Sequence, residues 1–460
     1  MITYQDLEKK STSEEEKMAF VRSCIADHMR SDIYKTAKDA YEYNCHRNVT
    51  ITEYQKILYK VTGEAIPDNW SANFKMACRH FHRFITQETQ YLLGNGITWG
   101  KEDTEERLGT RKYPIDGQLK KGAKKALWGG VAFGFYNLDH VDIFSIREVM
   151  PLYDEEDGAM KAGIRFWQID ESKPLRAPLY EMDGYTEYMW RNERGEVTTD
   201  KRAYKVKVRT SEADGDEIYD GENYEGFPIV PLWGNDEHQS LLVGLREQID
   251  CYDLIKSGFA NTVDEASFVY WTLNNAGGME DIDLAKFVER MKTVHAAVVD
   301  DYGARAESHT QEAPYASREA LLDRLDRDLY KDAMALDTER IAGGAVTATQ
   351  IEASYEDLNS KCDDFEYCIL EFLEGIMKIA GVDDEPTFTR SKIVNQTEMV
   401  QIILQAAPYL DDTYVTKKIL DILGDGDQAE DVLKQIDADD LGRINLQEEE
   451  EPVTEQPIEE

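Results

Sequence analysis

The stretch Gly226-Phe-Pro-Ile-Val-Pro-Leu-Trp-Gly-Asn-Asp236 lies where the chain changes from strand-like to helix-like patterning. Downstream of it, apolar residues recur three or four positions apart and predict a helix over about 237–263. These residues are Leu242, Leu245, Ile249, Tyr252, Ile255, Phe259 and Val263. Such a stripe is typical of a helix that packs against other helices.

A second striped helix is predicted over about 317–336, with Leu321, Leu325, Leu329 and Ala333 at steps of four. Its other faces alternate arginine and aspartate between Arg318 and Asp328. This alternation suits charge pairs between copies of the chain, and it suits equally a solvated face with local pairs four residues apart. The sequence leaves both interpretations open.

The longest helix is predicted after residue 350 and ends before Gly381. Its apolar positions step by four and three in turn, and they are Ile351, Tyr355, Leu358, Cys362, Phe365, Ile369, Phe372, Ile376 and Ile379. At about 1.5 Å per residue, this helix is a rod of roughly 40 Å.

A compact α/β insert separates the first two striped helices. We predict a strand over 268–273, a turn over 274–278, a helix over 282–291 and a strand over 295–300. Beyond residue 386 the pattern predicts two or three short helices, and residues 447–460 form a disordered acidic tail.

The N-terminal half alternates between helix and strand patterns. Helices are predicted over 14–44, 72–93 and 117–128, the second with Phe74, Ala77, Phe81, Phe84 and Ile85 facing inward. Period-two patterns predict strands over 141–146, 163–169, 185–190 and 203–209, and an acidic loop follows from Glu212 to Glu225. The predicted fold class is therefore α+β and mostly helical.

The net charge of −39 comes from 91 acidic and 52 basic residues. Such a chain repels nucleic acid and anionic membranes at exposed faces and attracts basic partners. It contains no run of 18 apolar residues, so we expect no transmembrane helix. The six cysteines lack C-x-x-C spacing and are interpreted as buried thiols in a reducing compartment, with neither a disulfide framework nor a zinc site.

No motif in the chain predicts catalysis, a metal site or a cofactor site. Phosphate loops, a nucleophile elbow and a complete calcium loop are all missing from the sequence. A hydrolase with an unlocated pair of carboxylates stays open as an alternative. The basic run Lys120, Lys121, Lys124 and Lys125 is interpreted as a solvated helix face or a partner for an acidic neighbour, with a nucleic-acid patch as the other possibility.

Several segments together resemble the portal proteins of tailed bacteriophages, in the branch found in siphophages of Gram-positive hosts. Besides 226–236, they are Tyr91-Leu-Leu-Gly-Asn-Gly-Ile-Thr-Trp99, Trp128-Gly-Gly-Val-Ala-Phe-Gly-Phe-Tyr136, Ile146-Arg-Glu-Val-Met-Pro-Leu-Tyr-Asp-Glu-Glu-Asp-Gly158, and the run from Ala297 to Ile341-Ala-Gly-Gly344. They occur in the family's order and span about 15–440. One departure is Ala342-Gly-Gly-Ala-Val-Thr-Ala-Thr349, where the family usually has a glycine-serine step.

The resemblance implies a portal fold with wing, stem, clip and crown parts. The implied boundaries are 1–236 for the wing, 237–267 for the first stem helix, 268–314 for the clip, 315–336 for the second stem helix, 337–349 for the tunnel loop, 350–384 for the wing-to-crown helix, 385–446 for the crown and 447–460 for the tail.

Site residues follow from these boundaries as expectations. The DNA-facing tunnel loop would present Thr338, Glu339, Arg340, Gly343, Gly344 and Thr347. Stem packing would use Leu245, Ile249, Tyr252, Leu321, Leu325 and Leu329. The clip would dock partners through Asn274, Lys286, Arg290 and Lys292.

By the same resemblance, the chain would form a dodecameric ring at one capsid vertex. Double-stranded DNA would pass through this ring, and the large terminase subunit, a head-completion or adaptor protein, and capsid and scaffolding proteins would bind it. The protein would be made in the host cytoplasm and reside in the virion, without membrane contact, catalytic residues, metal or cofactor. A multimeric scaffold without a DNA role is a further alternative.

Overall fold

A computed structural model describes residues 2–10, 13–59, 63–69, 71–192, 194–210, 217–265, 270–274, 305–309, 315–339, 348–391, 400, 403–423 and 432–433. The chain divides into two compact units. Unit 1 comprises Met1–Leu336 and Asp357–Arg390, and unit 2 comprises Asp337–Glu356 and Ser391–Glu460.

The helices in chain order are α1 (Tyr4–Lys10), α2 (Glu14–Arg30), α3 (Asp32–Asn44), α4 (Val49–Glu53), α5 (His80–Leu93), α6 (Thr104–Leu108), α7 (Ile115–Gly129), α8 (Arg246–Glu265), α9 (Tyr315–Asp332), α10 (Ala348–Ser354), α11 (Glu356–Ala380) and α12 (Asp412–Leu423). A short 3₁₀ turn covers Ala407–Tyr409.

The strands in chain order are β1 (Ile57–Tyr59), β2 (Ala65–Pro67), β3 (Ile97–Thr98), β4 (Val131–Asn137), β5 (His140–Ser145), β6 (Val149–Tyr153), β7 (Met160–Arg165), β8 (Leu175–Glu181), β9 (Gly184–Arg191), β10 (Arg194–Arg202), β11 (Lys205–Thr210), β12 (Glu217–Glu222), β13 (Ile229–Trp233), β14 (Tyr270–Asn274), β15 (Arg305–His309) and β16 (Thr387–Phe388). Strands and helices interleave in unit 1, so the predicted α+β class is confirmed.

A three-stranded antiparallel sheet in the order β13-β4-β5 lies between α7 and α11. On one face, a Cβ built at Gly122 of α7 would lie 3.3 Å from Ile143 and from Leu232. On the other face, a Cβ at Gly134 would lie 2.5 Å from the ring of Phe372. A Cβ at Gly375 of α11 would likewise lie 2.7 Å from Val230. Glycine is therefore what lets α11 approach this sheet closely.

Gly134→Ala should lower the free energy of unfolding by about 1–3 kcal/mol, because the added methyl group overpacks the site against Phe372. Urea denaturation measures this loss. Gly226→Ala is the matched control, since nothing lies within 4 Å of a Cβ at that position. Phe372→Leu in the Gly134→Ala background should recover part of the loss. Equal losses in the two alanine variants would contradict the close approach.

A five-stranded antiparallel sheet in the order β10-β9-β8-β7-β6 carries α1 and α2 on one face. The shared core combines helical and strand residues, namely Leu7, Phe20, Val21, Cys24, Ile25, Met150, Leu152, Ala162, Ile164, Phe166, Ala177, Leu179, Tyr188 and Trp190. Lys17 of α2 also pairs with Glu181 at 2.7 Å. The period-two strands predicted between residues 141 and 209 thus belong to this sheet, to the three-stranded sheet and to β11.

Two predicted helices in the N-terminal half need correction. The helix predicted over 14–44 is divided at Ser31, which has an extended backbone, and whose side-chain oxygen accepts from the N–H of Tyr34. The helix predicted over 72–93 begins only at His80. Phe74, expected to face inward on that helix, is 51 % exposed on an extended segment.

The predicted first stem helix and the predicted wing-to-crown helix also differ from the structure. Residues 241–245 form turns, so the helix predicted from 237 begins at Arg246. The long helix is interrupted at Tyr355, whose N–H donates to the carbonyl oxygen of Glu352 three residues back. An i to i−3 bond at this point breaks the α-helical ladder.

The acidic loop predicted from Glu212 to Glu225 contains a strand. β12 pairs with β11 in antiparallel register, with Lys205 opposite Glu222. Opposite charges at these two facing positions stabilise the pair. In the predicted clip, β14 confirms a strand close to 268–273, and its partner is β15. The helix predicted over 282–291 and the strand predicted over 295–300 lie outside the described residues.

Unit 2 contains α10, the 3₁₀ turn and α12 among its described residues. Val415 of α12 is buried, whereas Tyr409 and Tyr414 are exposed. The helical residues described after residue 400 agree with the short helices expected there, and the predicted tail lies outside the described residues.

Candidate functional site

Helices α8 and α9 form an antiparallel pair. Near one end, Arg318 donates to the carbonyl oxygen of Gly258 at 3.3 Å and to Oγ1 of Thr262 at 2.7 Å. The rings of Phe259 and Tyr315 meet edge to face at 5.6 Å in the same region. At the other end, Gln248 donates to Asp332. These contacts fix the two ends of the pair.

The six residues predicted to pack the stem differ in their burial. Leu245, Ile249 and Leu329 are buried, and Tyr252 and Leu325 are half-buried. Leu321, however, is 44 % exposed in the single chain. The N-terminal half of α9 is therefore largely uncovered, while its C-terminal half enters the core of unit 1.

An aromatic cluster joins the helix pair to α5. His80 lies edge to face with Tyr252 of α8 at 5.0 Å, and Phe84 lies edge to face with Tyr330 of α9 at 5.4 Å. Nε2 of His80 also lies 2.7 Å from Oδ1 of Asp326. Edge-to-face ring pairs add about 0.5–1.5 kcal/mol each beyond the burial of their area.

A polar ladder fastens α8 to the extended segment before α5. Its acceptors are Asp253, Ser257 and Asn261, which lie four residues apart on one face of α8. Oδ1 of Asp253 accepts from the N–H of Cys78 at 2.8 Å, and Oγ of Ser257 accepts from the N–H of Met76 at 3.0 Å. Oδ1 of Asn261 accepts from the N–H of Phe74 at 2.7 Å. The segment is held extended by side chains of a helix, and no strand of the described residues pairs with it.

Asp253 is the most deeply buried member of the polar ladder. Its second carboxylate oxygen accepts from Nδ2 of Asn48 at 2.5 Å. Burial raises the pKa of Asp253, and the hydrogen bonds from Asn48 and Cys78 oppose that rise. Both residues that donate to Asp253 are themselves buried, so the carboxyl group fixes the relative positions of three chain segments.

A buried ion pair links α5 to α11. Nζ of Lys361 lies 2.6 Å from Oε2 of Glu88, and only 2 % of the Glu88 side chain is exposed. Burial raises the pKa of Glu88, and the positive charge of Lys361 acts in the opposite direction. Sequence reasoning missed this pair, because Glu88 resembles a solvent-facing residue of an amphipathic helix.

The predicted tunnel-loop and clip residues lie only partly within the described chain. Thr338 and Glu339 are exposed, and the N–H of Glu339 donates to Asp337 at 3.2 Å. Asn274 ends β14 opposite Arg305. The remaining predicted residues, Arg340, Gly343, Gly344, Thr347, Lys286, Arg290 and Lys292, lie outside the described residues.

The basic run on α7 is partly used inside the chain. Lys125 pairs with Glu148 at 3.1 Å and donates to the carbonyl oxygen of Ile143 at 3.0 Å. Lys120 donates to the carbonyl oxygen of Gly94 at 3.4 Å, whereas Lys121 is exposed. The run is therefore not simply a solvated helix face.

Within the described part of the chain, no group of three histidine, cysteine or acidic side chains could hold a metal ion. No helix of that part is long and apolar enough to cross a membrane.

Comparison with known proteins places the chain among the phage portal proteins, the head-to-tail connectors of phage particles. It belongs to the family of phage portal proteins described as SPP1 Gp6-like, whose sequence model matches residues 23–441. The predicted family is confirmed, including its Gram-positive branch. Because this family is a structural, non-enzymatic component of the capsid, the hydrolase alternative is dropped.

The chain is 24 % identical over 392 residues to the portal protein of Bacillus phage SPP1, covering 79 % of this chain and 75 % of that protein. It is 24 % identical over 304 residues to the portal protein of Clostridium phage phiCD119, covering 60 % of this chain and 65 % of that relative. The second match therefore spans slightly less than two thirds of the relative.

Two solved structures are similar at low identity. One is the neck of a native gene transfer agent particle computed with C12 symmetry, with a TM-score of 0.44, 11 % identity, and coverage of 74 % of this chain and 89 % of that chain. The other is an HK97-family phage portal protein from Corynebacterium diphtheriae, with a TM-score of 0.35, 11 % identity, and coverage of 66 % and 91 %.

Proposed function

We propose that this chain forms the ring at the unique capsid vertex through which double-stranded DNA enters the head during packaging and leaves it during ejection. The family match over residues 23–441 carries this proposal. We take the ring to be a dodecamer, as the resemblance implies. The wing, stem, clip, tunnel-loop, crown and tail boundaries given above belong to the same proposal.

The uncovered half of α9 supports assembly. Leu321 is 44 % exposed although it continues the apolar stripe of Leu325 and Leu329. Exposed apolar positions of this kind are covered when identical subunits meet. The arginine and aspartate residues beside it also form local pairs, as Arg324 and Asp328 do at 3.6 Å. We therefore take Leu321 as a contact point between neighbouring subunits of the proposed ring.

The charge of −39 suits a channel that conducts DNA without holding it. Tight DNA binding requires cationic side chains that displace phosphate counterions. A wall with excess carboxylates offers few of them, so the duplex passes without sticking. The tunnel-loop residues Thr338, Glu339, Arg340, Gly343, Gly344 and Thr347 would face the duplex.

The clip would be the surface that binds partners. There, Asn274, Lys286, Arg290 and Lys292 would dock the large terminase subunit during packaging and a head-completion or adaptor protein afterwards. Capsid and scaffolding proteins would contact the ring elsewhere. The protein would be made in the host cytoplasm and become part of the virion.

Deletion of residues 342–345 should leave rings intact and abolish DNA packaging, because it shortens the proposed tunnel loop without touching the stem. Negative-stain images of the purified chain measure ring formation, and nuclease-protected DNA in filled heads measures packaging. Monomers of the wild-type chain at micromolar concentration would contradict the ring. Normal packaging by the deletion variant would contradict the role of the loop.

A further inference from the structure

The chain leaves unit 1 at Leu336 and returns to it at Asp357. These two residues therefore mark the two ends of the segment Asp337–Glu356. The first end is held by the side chain of Gln87 on α5. Nε2 of Gln87 donates to the carbonyl oxygen of Leu336 at 2.8 Å, and the N–H of Leu336 donates to Oε1 of Gln87 at 3.0 Å. This pair of hydrogen bonds matches the pair that two directly opposite residues of antiparallel strands exchange.

The geometry before Leu336 directs the chain towards Gln87. The N–H of Ala335 donates to the carbonyl oxygen of Tyr330 at 2.9 Å, and Met334 has a φ of 51°. This is a helix ending of the kind in which glycine usually takes the left-handed position. A methionine there costs about 1 kcal/mol or more, and the two bonds from Gln87 offset that cost.

The second end reaches the same turn of α5. Lys361 of α11 pairs with Glu88 at 2.6 Å, and the hydroxyl of Tyr91 donates to Oδ1 of Asn359 at 2.5 Å. Residues 87, 88 and 91 lie within about one helical turn. Lys361 also donates to the carbonyl oxygen of Ala333 at 3.1 Å, so the two ends are joined directly to each other.

We propose that Gln87 is a positioning residue for the segment Asp337–Glu356, which contains the proposed tunnel loop. Gln87 fixes the point where the segment starts, and Glu88 and Tyr91 fix the point where it returns, so one turn of α5 sets the position of both ends. The functional part of this inference rests on the proposed function, whereas the anchor itself is a property of the single chain.

Gln87 suits this position because a primary amide carries a donor and an acceptor side by side. Methionine has a similar length and neither group. Gln87→Met is therefore expected to speed hydrogen exchange at the amide of Leu336 by about tenfold or more, since it removes the two bonds that protect this residue. Ring yield should stay at the wild-type level, and DNA packaging should fall.

Gln90→Met is the matched control, because Gln90 is an exposed residue of the same helix. It should change neither exchange nor packaging. Gln87→Glu provides a milder variant, since it keeps an acceptor for the N–H of Leu336 and loses the donor to the carbonyl oxygen. Its exchange rate should lie between those of the wild type and Gln87→Met.

Hydrogen exchange measured by mass spectrometry tests whether Gln87 anchors Leu336, separately from whether this anchor matters for packaging. Unchanged exchange at Leu336 in Gln87→Met would overturn the anchor, whether or not the chain forms rings. Faster exchange combined with wild-type packaging would show an anchor with no role in positioning the loop, and would also overturn the inference. Absence of rings in the wild type would contradict the proposed function while leaving the exchange result interpretable.

Discussion

Replacing Lys361 by methionine is expected to lower the free energy of unfolding by about 3–5 kcal/mol at pH 8, because it leaves the buried carboxylate of Glu88 without its partner. Methionine keeps most of the apolar stem of the lysine side chain, so packing against α5 changes little. The expected loss therefore reports mainly the uncompensated charge, with a smaller share from the lost hydrogen bond to the carbonyl oxygen of Ala333.

The loss should depend on pH in a defined direction. Burial raises the pKa of Glu88 in the folded chain, so the folded state holds its proton to higher pH than the unfolded state does. The stabilisation that comes from this proton is fully present below the pKa of Glu88 in the unfolded chain. It is lost as pH rises through the pKa of Glu88 in the folded chain. Removal of Lys361 raises the folded pKa further. The free energy of unfolding that Lys361→Met loses relative to the wild type should thus be smaller at pH 5 than at pH 8.

Urea denaturation of both chains at pH 5 and pH 8 measures this difference. Lys378→Met is the matched control, because Lys378 is an exposed residue near the end of the same helix. Its substitution should cost less than about 1 kcal/mol at either pH. A Lys361→Met deficit of equal size at both pH values would contradict the assignment to Glu88.

Asp253→Ala is expected to cost about 3 kcal/mol, since it leaves the buried N–H of Cys78 without its acceptor and removes the nearer acceptor of the side-chain amide of Asn48. Asp253→Asn should cost about 1 kcal/mol or less. Its carbonyl oxygen still accepts from Cys78, and its amide can donate to Asn48 once the Asn48 amide is turned. Oδ1 of Asn48 is buried and has no partner in the wild type, so it is available for this bond.

Thermal denaturation compares the melting temperatures of the two variants with that of the wild type. The asparagine variant should melt close to the wild type and the alanine variant well below it. If both variants melted together, the hydrogen bonds to the Asp253 carboxyl group would not be the source of its contribution.

Periodicity in the sequence located the elements whose structure depends on their own residues. The apolar stripes predicted α8, α9 and α11, and the alternating patterns predicted strands that match β5, β9 and β11. In α11 and β9 a run of side chains on one face meets the core, so local spacing is sufficient. The ends of these elements were less predictable, because turn bonds at 241–245 and at Tyr355 decide them.

The segment before α5 shows why other features escaped prediction. Phe74 and Ala77 fit a helical stripe with Phe81 and Phe84, and nothing nearby in the sequence opposes a helix there. The opposing interaction comes from α8, about 180 residues away in the chain. The spacing of Asp253, Ser257 and Asn261 was the available signal. Three short polar residues at steps of four indicate a polar face that needs partners.

The polar ladder works because two different rises nearly match. Four residues of α-helix advance by about 6.0 Å, and two residues of an extended chain advance by about 6.6 Å. Side chains at steps of four on α8 therefore meet every second N–H of the segment, and the three bonds keep ordinary lengths of 2.8, 3.0 and 2.7 Å. A helix with short polar side chains at this spacing can thus hold an extended segment in register, as the edge of a strand would.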